Sequence, residues 1–393
     1  MPKVDVNLPL DDVAALIDFG DDELKMARYK QYGTAQALAM HNRGPITYDP
    51  DGALSTEILD AYWREGFYVF ENVVGAEERR DIEVDVAELL ERAPIAKDAS
   101  VDKHGRPALG SDCKGRSVRM TRPLSDPLGG TDANHGRHPV KMAEPNAPDE
   151  APEWVMQLLL GTLQHSDACL RLYGHPELLN VAAAVNGPDF TPFNEGLWIK
   201  QPRLGSSVAW HQDGWTWWDK PELDSGTHGF NFMMQLYGCD AANGLWVVPG
   251  SHTKGKLDIS DLASESGSDR LVDAVPLICA PGDVAIVNRQ AVHGSFANTS
   301  DNTRVSVHFG FHRRKSVYGI TSGGIHNPVS HYDDAYIRRR SRMLMYAIDA
   351  RQQRFPEETC FEYGPLADAK DEFRWTSAAR ADIRDYNLMD IGI

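Results

Sequence analysis

The chain has 393 residues, 42 % hydrophobic and 25 % charged, the composition of a folded globular protein with room for a sizeable core. Its formal net charge of −17 argues against a nucleic-acid groove or an anionic membrane surface, both of which need concentrated Lys and Arg. No apolar run of about 18 residues suggests a membrane span, and the start lacks the apolar core of a secretory leader. The five scattered cysteines fit reduced thiols in a cytoplasmic protein better than a disulfide framework or zinc ribbon.

Residues 1–45 read as a polar N-terminal arm with helical character, packing on the body or on a second copy, which is compatible with a homodimer. The remainder, 46–393, reads as one elaborated domain, because no linker divides it. Leu54 to Gly66 carries the 3.6-residue spacing of a helix, with Ser55 or Thr56 as cap and Gly66 just past its end. Phe67 to Val74 reads as a strand, and a helix with an Ile82, Val86, Leu89 and Leu90 stripe follows.

Residues 94–150 hold seven prolines and read as a long loop, either covering a pocket or without fixed structure. Trp154 to Leu172 and Glu177 to Val185 regain helical character. From Gly196 the texture becomes β, in short runs punctuated by Gly and Pro: Leu197–Lys200, Ser207–Trp210, Gly229–Tyr237, Leu245–Val248, Ala274–Cys279, Val284–Val287 and Arg304–Phe311. This predicts a barrel or sandwich over 196–312. Asp258 to Asp269 reads as a surface loop, Asp333 to Gln353 as a long helix, and 330–393 as a C-terminal helical region.

The chemistry concentrates in Trp210-His211-Gln212-Asp213-Gly214. Residues i and i+2 of a strand face the same way, so His211 and Asp213 can point at one spot. His293, in Val292-His293-Gly294-Ser295, supplies a third ligand if the fold returns it there. Two His and one carboxylate on one face of a metal is the arrangement of non-heme Fe(II) oxygenases. Arg304 opens the next strand; a guanidinium there can grip the far carboxylate of a 2-oxo diacid in bidentate fashion, with Ser306 on the same face adding a hydroxyl.

These segments, with Asn243-Gly244-Leu245-Trp246-Val247-Val248-Pro249-Gly250-Ser251-His252, Pro281-Gly282-Asp283-Val284 and the entry segment Trp63-Arg64-Glu65-Gly66-Phe67-Tyr68-Val69, resemble the phytanoyl-CoA dioxygenase-like family of Fe(II)- and 2-oxoglutarate-dependent oxygenases. The resemblance runs with gaps from about Leu54 to Phe311. It implies an α+β fold: a double-stranded β-helix, or cupin-like jelly roll, with flanking helices. Carried across, it makes His211, Asp213 and His293 the iron ligands, and 2-oxoglutarate and O2 the cosubstrates, with Arg304 on the 2-oxoglutarate tail. Lys200 and Gln235 stand where the family places further cosubstrate contacts. The presence of Asp213 favours oxygenation, desaturation or cyclisation over halogenation, because halogenating relatives replace the carboxylate with a small residue.

The expected substrate is a small organic molecule. Trp215, Trp217 and Trp218 serve either as core or as pocket wall; His308 shares the Arg304 face and can approach a substrate; His252 reads as a hydrogen-bonded turn residue. The basic runs Arg313-Arg314-Lys315 and Arg338-Arg339-Arg340 read as solvated surface, or else as a clamp for an anionic group. Two other functions remain open on sequence alone: a cupin-type metal dioxygenase without 2-oxoglutarate, and a non-catalytic binding protein on the same scaffold.

Overall fold

A computed structural model describes residues 23–115, 117–213, 229–323 and 328–391. Helix α1 (Glu23–Ala39) precedes β1 (Arg43–Gly44), α2 (Thr56–Glu65), β2 (Phe67–Phe70) and α3 (Ala76–Glu91). Strands β3 (Val118–Thr121) and β4 (Val155–Leu160) follow, then α4 (Asp167–Tyr173) and α5 (Pro176–Asn186). The central run is β5 (Phe190–Lys200), β6 (Val208–His211), β7 (Phe230–Gln235), β8 (Trp246–Val247), α6 (Ile259–Glu265), β9 (Val275–Pro276), β10 (Val284–Asn288), β11 (His293–Ser295) and β12 (Arg304–Arg313). Two helices matter beyond it, α7 (Arg314–Val317) and α8 (Asp334–Arg354).

The strands form an eight-stranded sheet in the order β1-β2-β10-β7-β12-β5-β4-β3 and a four-stranded sheet in the order β6-β11-β8-β9. From β5 to β12 the chain passes back and forth between them, with β5, β7, β10 and β12 in the large sheet and β6, the β8–β9 pair and β11 in the small one. That winding is a double-stranded β-helix.

Strand alternation divides the large sheet's two faces. Val305, Val307, Phe309 and Phe311 of β12 join Phe230, Phe232 and Met234 of β7 and Leu197 and Ile199 of β5 in the main core. Against this face pack Leu170 and Leu172 of α4, Leu178 and Val185 of α5, and Met343, Leu344 and Ala347 of α8. Full burial of each such side chain contributes about 1.5–3 kcal/mol. The opposite face carries Arg304, Asn231, Met233, Asn194 and Trp198 toward the small sheet, where they line a cavity. Arg304, Ser306 and His308 share that face because they are two residues apart on β12.

Helix α1 packs on the body. Tyr29 stacks on Trp246 with ring centroids 4.5 Å apart, and its hydroxyl donates to the Leu271 carbonyl at 2.7 Å. Helix α2 ends as expected, with Gly66 in the left-handed region at φ 83°. Ser55 makes no side-chain cap; Asp49 takes the Thr56 amide at 3.1 Å and its hydroxyl at 2.8 Å instead.

Several expectations need correcting. Val155–Leu160 is a strand, pairing with both β3 and β5; a fully buried strand has no alternation to betray it. Asp258–Asp269 contains helix α6, capped by the Asp258 carboxylate on the Ser260 and Asp261 amides. Residues 94–150 are not all loop, since β3 adds an edge to the large sheet. Arg340, in the second basic run, is buried at 1 % exposure, with its Nε on Asp390 at 2.8 Å. It faces inward because α8 presents that position to the core.

Candidate metal and cosubstrate site

His211 ends β6 and His293 opens β11, and the two are direct cross-strand partners in the small sheet. Each ring is steered by its own strand: His211 Nδ1 donates to the Ala209 carbonyl at 2.8 Å, and His293 Nδ1 to the Ala291 carbonyl at 2.9 Å. A carbonyl can only accept, so each Nδ1 carries the hydrogen and each Nε2 presents a lone pair. Burial, followed for His211 by the neighbouring His293 ring, holds both imidazoles below their usual pKa and keeps them neutral.

Asp213 follows β6. Its amide donates to the Arg289 carbonyl at 2.9 Å. Between the two ligand candidates, Gln212 ties the segment down, donating to the Gln290 carbonyl at 2.6 Å and the Gly255 carbonyl at 3.0 Å and accepting from the Leu257 amide at 2.8 Å. Burial would push the Asp213 carboxyl up, but Arg289 and Arg137 outweigh it and hold the group well below the ordinary range. Arg137 Nη1 lies 3.1 Å from Oδ1, and Arg289 Nε 3.4 Å from Oδ2.

One nitrogen from each of His211 and His293 and one oxygen from Asp213 lie within 4.8 Å of one another. Two neutral imidazoles and a fixed carboxylate form a donor set that fits a divalent iron. The carbonyl bonds behind the imidazoles and the arginines behind the carboxylate orient the donors from outside.

Arg304 lines the same cavity, 3 % exposed. Its Nε lies 3.5 Å from Gln235 Oε1, and no carboxylate pairs with it among the described residues. Gln235 is turned that way because its amide donates to Ser306 Oγ at 2.9 Å. Directly across the β5–β12 ladder stands Lys200, also buried. Lys200 Nζ bonds the Phe296 carbonyl, and burial, then Arg304, holds its pKa well down. A buried guanidinium without a carboxylate is costly, and the arrangement suits an anionic ligand, as 2-oxoglutarate would be. The structure thus brings His211, Asp213, His293, Arg304 and His308 to one cavity wall, with Gln235 and Ser306 behind Arg304, and turns Lys200 onto a backbone carbonyl. Trp215, Trp217 and Trp218 lie outside the described residues. His252 holds the Trp63 carbonyl through Nε2 at 3.0 Å, away from the cavity.

A family model described as phytanoyl-CoA dioxygenase matches residues 62–306. The chain belongs to the phytanoyl-CoA dioxygenase family. Among curated proteins, phytanoyl-CoA dioxygenase 1 of Oryza sativa subsp. japonica is 30 % identical over 115 residues, covering 27 % of this chain and 39 % of the relative, so the match spans well under half of that protein. Among solved structures, EctD from S. alaskensis with 2-oxoglutarate and 5-hydroxyectoine is 19 % identical, with TM-score 0.46, over 69 % of this chain and 80 % of that one. AviO1 from Streptomyces viridochromogenes Tue57 is 21 % identical, with TM-score 0.43, over 68 % of this chain and 96 % of that one. Iron and 2-oxoglutarate are what this family and the donor set call for. Among the described residues, no helix of this family member is long and apolar enough to cross a membrane.

The cavity has a volume of about 190 Å³. Sequence reasoning missed much of its wall: Arg137 and His138 from the proline-rich segment, Arg289, and Glu195 with Asp390. Arg289 alone left a trace, four positions before His293 in a polar stretch that interrupts the β texture.

Proposed function

We propose that this protein is an Fe(II)- and 2-oxoglutarate-dependent dioxygenase that hydroxylates an unactivated C–H of a small organic molecule, releasing succinate and CO2. His211, Asp213 and His293 hold the iron, and Arg304 grips the distal carboxylate of 2-oxoglutarate. The observation that carries this reading is the sharing of one cavity by a two-His, one-carboxylate cluster and a buried guanidinium that pairs with no carboxylate among the described residues. A metal dioxygenase without a cosubstrate would leave Arg304 with nothing to hold, and a binding scaffold would have no use for the full donor set.

When bound, iron with 2-oxoglutarate and O2 supplies the oxidant that removes hydrogen from carbon. The chain's own residues do the rest. Neutral His211 and His293 and ionised Asp213 give a donor set of one negative charge, leaving the opposite face open. Gln235 and Ser306 fix Arg304 from behind. Leu128, Leu158, Trp198 and Leu388 close the cavity sides and exclude bulk water. Asp213 keeps its carboxylate in the position that halogenation would need vacated.

Mixing the protein anaerobically with Fe(II) and 2-oxoglutarate should raise the visible charge-transfer band of a chelated oxo acid. Admitting air should then form succinate. His211→Ala and His293→Ala should lose both signals while keeping the far-ultraviolet circular dichroism of the parent. A band that survives either substitution would dismiss the ligand assignment.

A further inference from the structure

The segment after β3 reaches the cavity by an unusual backbone route. Asn134, His135 and Gly136 lie in succession in the left-handed region, at φ 56°, 59° and 68°. Only glycine adopts that conformation freely, and a side chain such as His135 is strained there. Strain of this kind persists where the surrounding structure enforces it, often at functional sites. Here it delivers the next two residues, Arg137 and His138, into the cavity wall.

His138 is fully buried, and its ring centroid lies 4.4 Å from that of His211. Its Nδ1 donates to the Ala209 carbonyl at 3.1 Å, the same oxygen that steers His211. Nε2 is therefore a lone-pair acceptor, and it is buried with no hydrogen-bond partner among the described residues. It is not among the three ligand atoms gathered within 4.8 Å. Arg137 places Nη1 on Asp213 while its Nε–H, also buried, has no partner among the described residues. An unmet donor and an unmet acceptor thus sit on adjacent residues beside the donor set.

The other acidic groups of the wall are engaged. Glu195 takes the Tyr386 hydroxyl and the Thr162 amide, and Asp390 takes Arg340. Asparagines at 134, 194, 231 and 387 supply more polar surface. Small-molecule cavities usually combine an apolar wall with only a few placed polar groups; this wall keeps its apolar residues, such as Leu158 and Leu388, but carries more charged and polar side chains than apolar ones.

Resting on the oxygenase reading above, we propose that Arg137 and His138 form a substrate-recognition pair, Arg137 holding a carboxylate of the substrate and His138 accepting from an adjacent hydroxyl or ammonium. The substrate is accordingly a small hydroxy- or amino-carboxylate, not a long acyl chain. Both residues touch the substrate and place its C–H before the iron site.

The test uses the full chain loaded anaerobically with Fe(II) and 2-oxoglutarate. Serine, 3-hydroxybutyrate and gluconate are titrated against the visible band, beside serine amide, butyrate and octanoate. The hydroxy- or amino-carboxylates should perturb the band at concentrations roughly tenfold or more below the controls, the loss expected for one missing polar contact. His138→Phe should erase that advantage for the hydroxyl or amine and His138→Gln should restore part of it; Arg137→Leu should erase it for the carboxylate and Arg137→Lys should restore part of it. In the His138 variants the band itself should still form, which also reports a folded site; the Arg137 variants lose a contact to Asp213 and are therefore compared at Fe(II) concentrations that saturate each of them. The proposal falls if octanoate binds first, if no hydroxy- or amino-carboxylate binds, or if the order ignores both substitutions. It also falls if His138→Phe abolishes the band, making His138 an iron ligand, or if Arg137→Leu weakens 2-oxoglutarate as much as loss of Arg304 does. Failure of the oxygenase reading itself looks different, because no band then forms in the unsubstituted protein.

Discussion

Replacing Arg304 by Met should make the protein more stable and less able to bind 2-oxoglutarate. Arg304 is 3 % exposed, stands across the ladder from a second cation, Lys200, and among the described residues has only a marginal 3.5 Å contact with Gln235. Burial lowers its pKa, and the groups opposing that shift are the Cys239 and Cys279 thiols, not a carboxylate. Burying a charge without a partner costs several kcal/mol even after relaxation. Methionine fills similar volume without that cost, so the ligand-free variant should gain about 1–3 kcal/mol, or roughly 1–3 °C for a chain of this length. The same change deletes a bidentate, desolvated charge pair with the cosubstrate. Such truncations cost about 2–4 kcal/mol, which weakens 2-oxoglutarate roughly 30- to 1000-fold. Calorimetric melting with and without Fe(II) and 2-oxoglutarate, together with titration of the visible band, reads both effects. A variant that melts lower without ligand and binds 2-oxoglutarate as tightly as the parent would show that Arg304 braces the fold and would refute the reasoning.

Three further outcomes follow from buried groups elsewhere. Arg351 bridges Glu78, at 2.6 Å, and Glu358, so Arg351→Met should strand a buried carboxylate and cost about 3–5 kcal/mol in thermal unfolding, while adding Glu78→Gln should recover much of it. Asp269 has its pKa raised to about 7, chiefly by burial. Its carboxyl stays protonated in the fold where the unfolded chain ionises, so its contribution is present below about pH 4 and lost as pH rises toward 7. Asp269→Asn should flatten the stability–pH curve in that window, and an unchanged slope would count against the assignment. Gly66→Ala meets both a φ of 83° and a methyl group 2.5 Å from His252 Nδ1, and should lower the melting temperature by the equivalent of about 1–2 kcal/mol or more.

What could be read in the sequence was whatever repeats or is spaced by a strand. The H-x-D pair and the alternation of Arg304, Ser306 and His308 with apolar neighbours on β12 follow from a period of two, and a barrel or sandwich followed from the turn residues between short β runs, whereas the winding itself and the return of His293 came only with the family resemblance. The strand Val155–Leu160 was hidden because both its faces are buried, leaving a continuous apolar run that also suits a helix. Arg137 and His138 were hidden for the opposite reason. They sit in aperiodic chain where three left-handed residues set the direction, and nothing in a list of residue types announces that. Arg340 looked like surface because its neighbours are basic; one helical position decides that it points inward, and that depends on how α8 lies against the large sheet.

The direct pairing of His211 with His293 has one more implication. Both rings inherit their places from a single rung of an antiparallel ladder, and each is anchored to a carbonyl of its own strand. Slippage by one residue would turn one imidazole to the far side. The residues that would meet a substrate come from elsewhere, around 134–138 and 387–391. The rung therefore sets the imidazoles independently of where the cavity wall comes from, while Arg137 on Asp213 and His138 on the Ala209 carbonyl tie one of those outlying segments back to it.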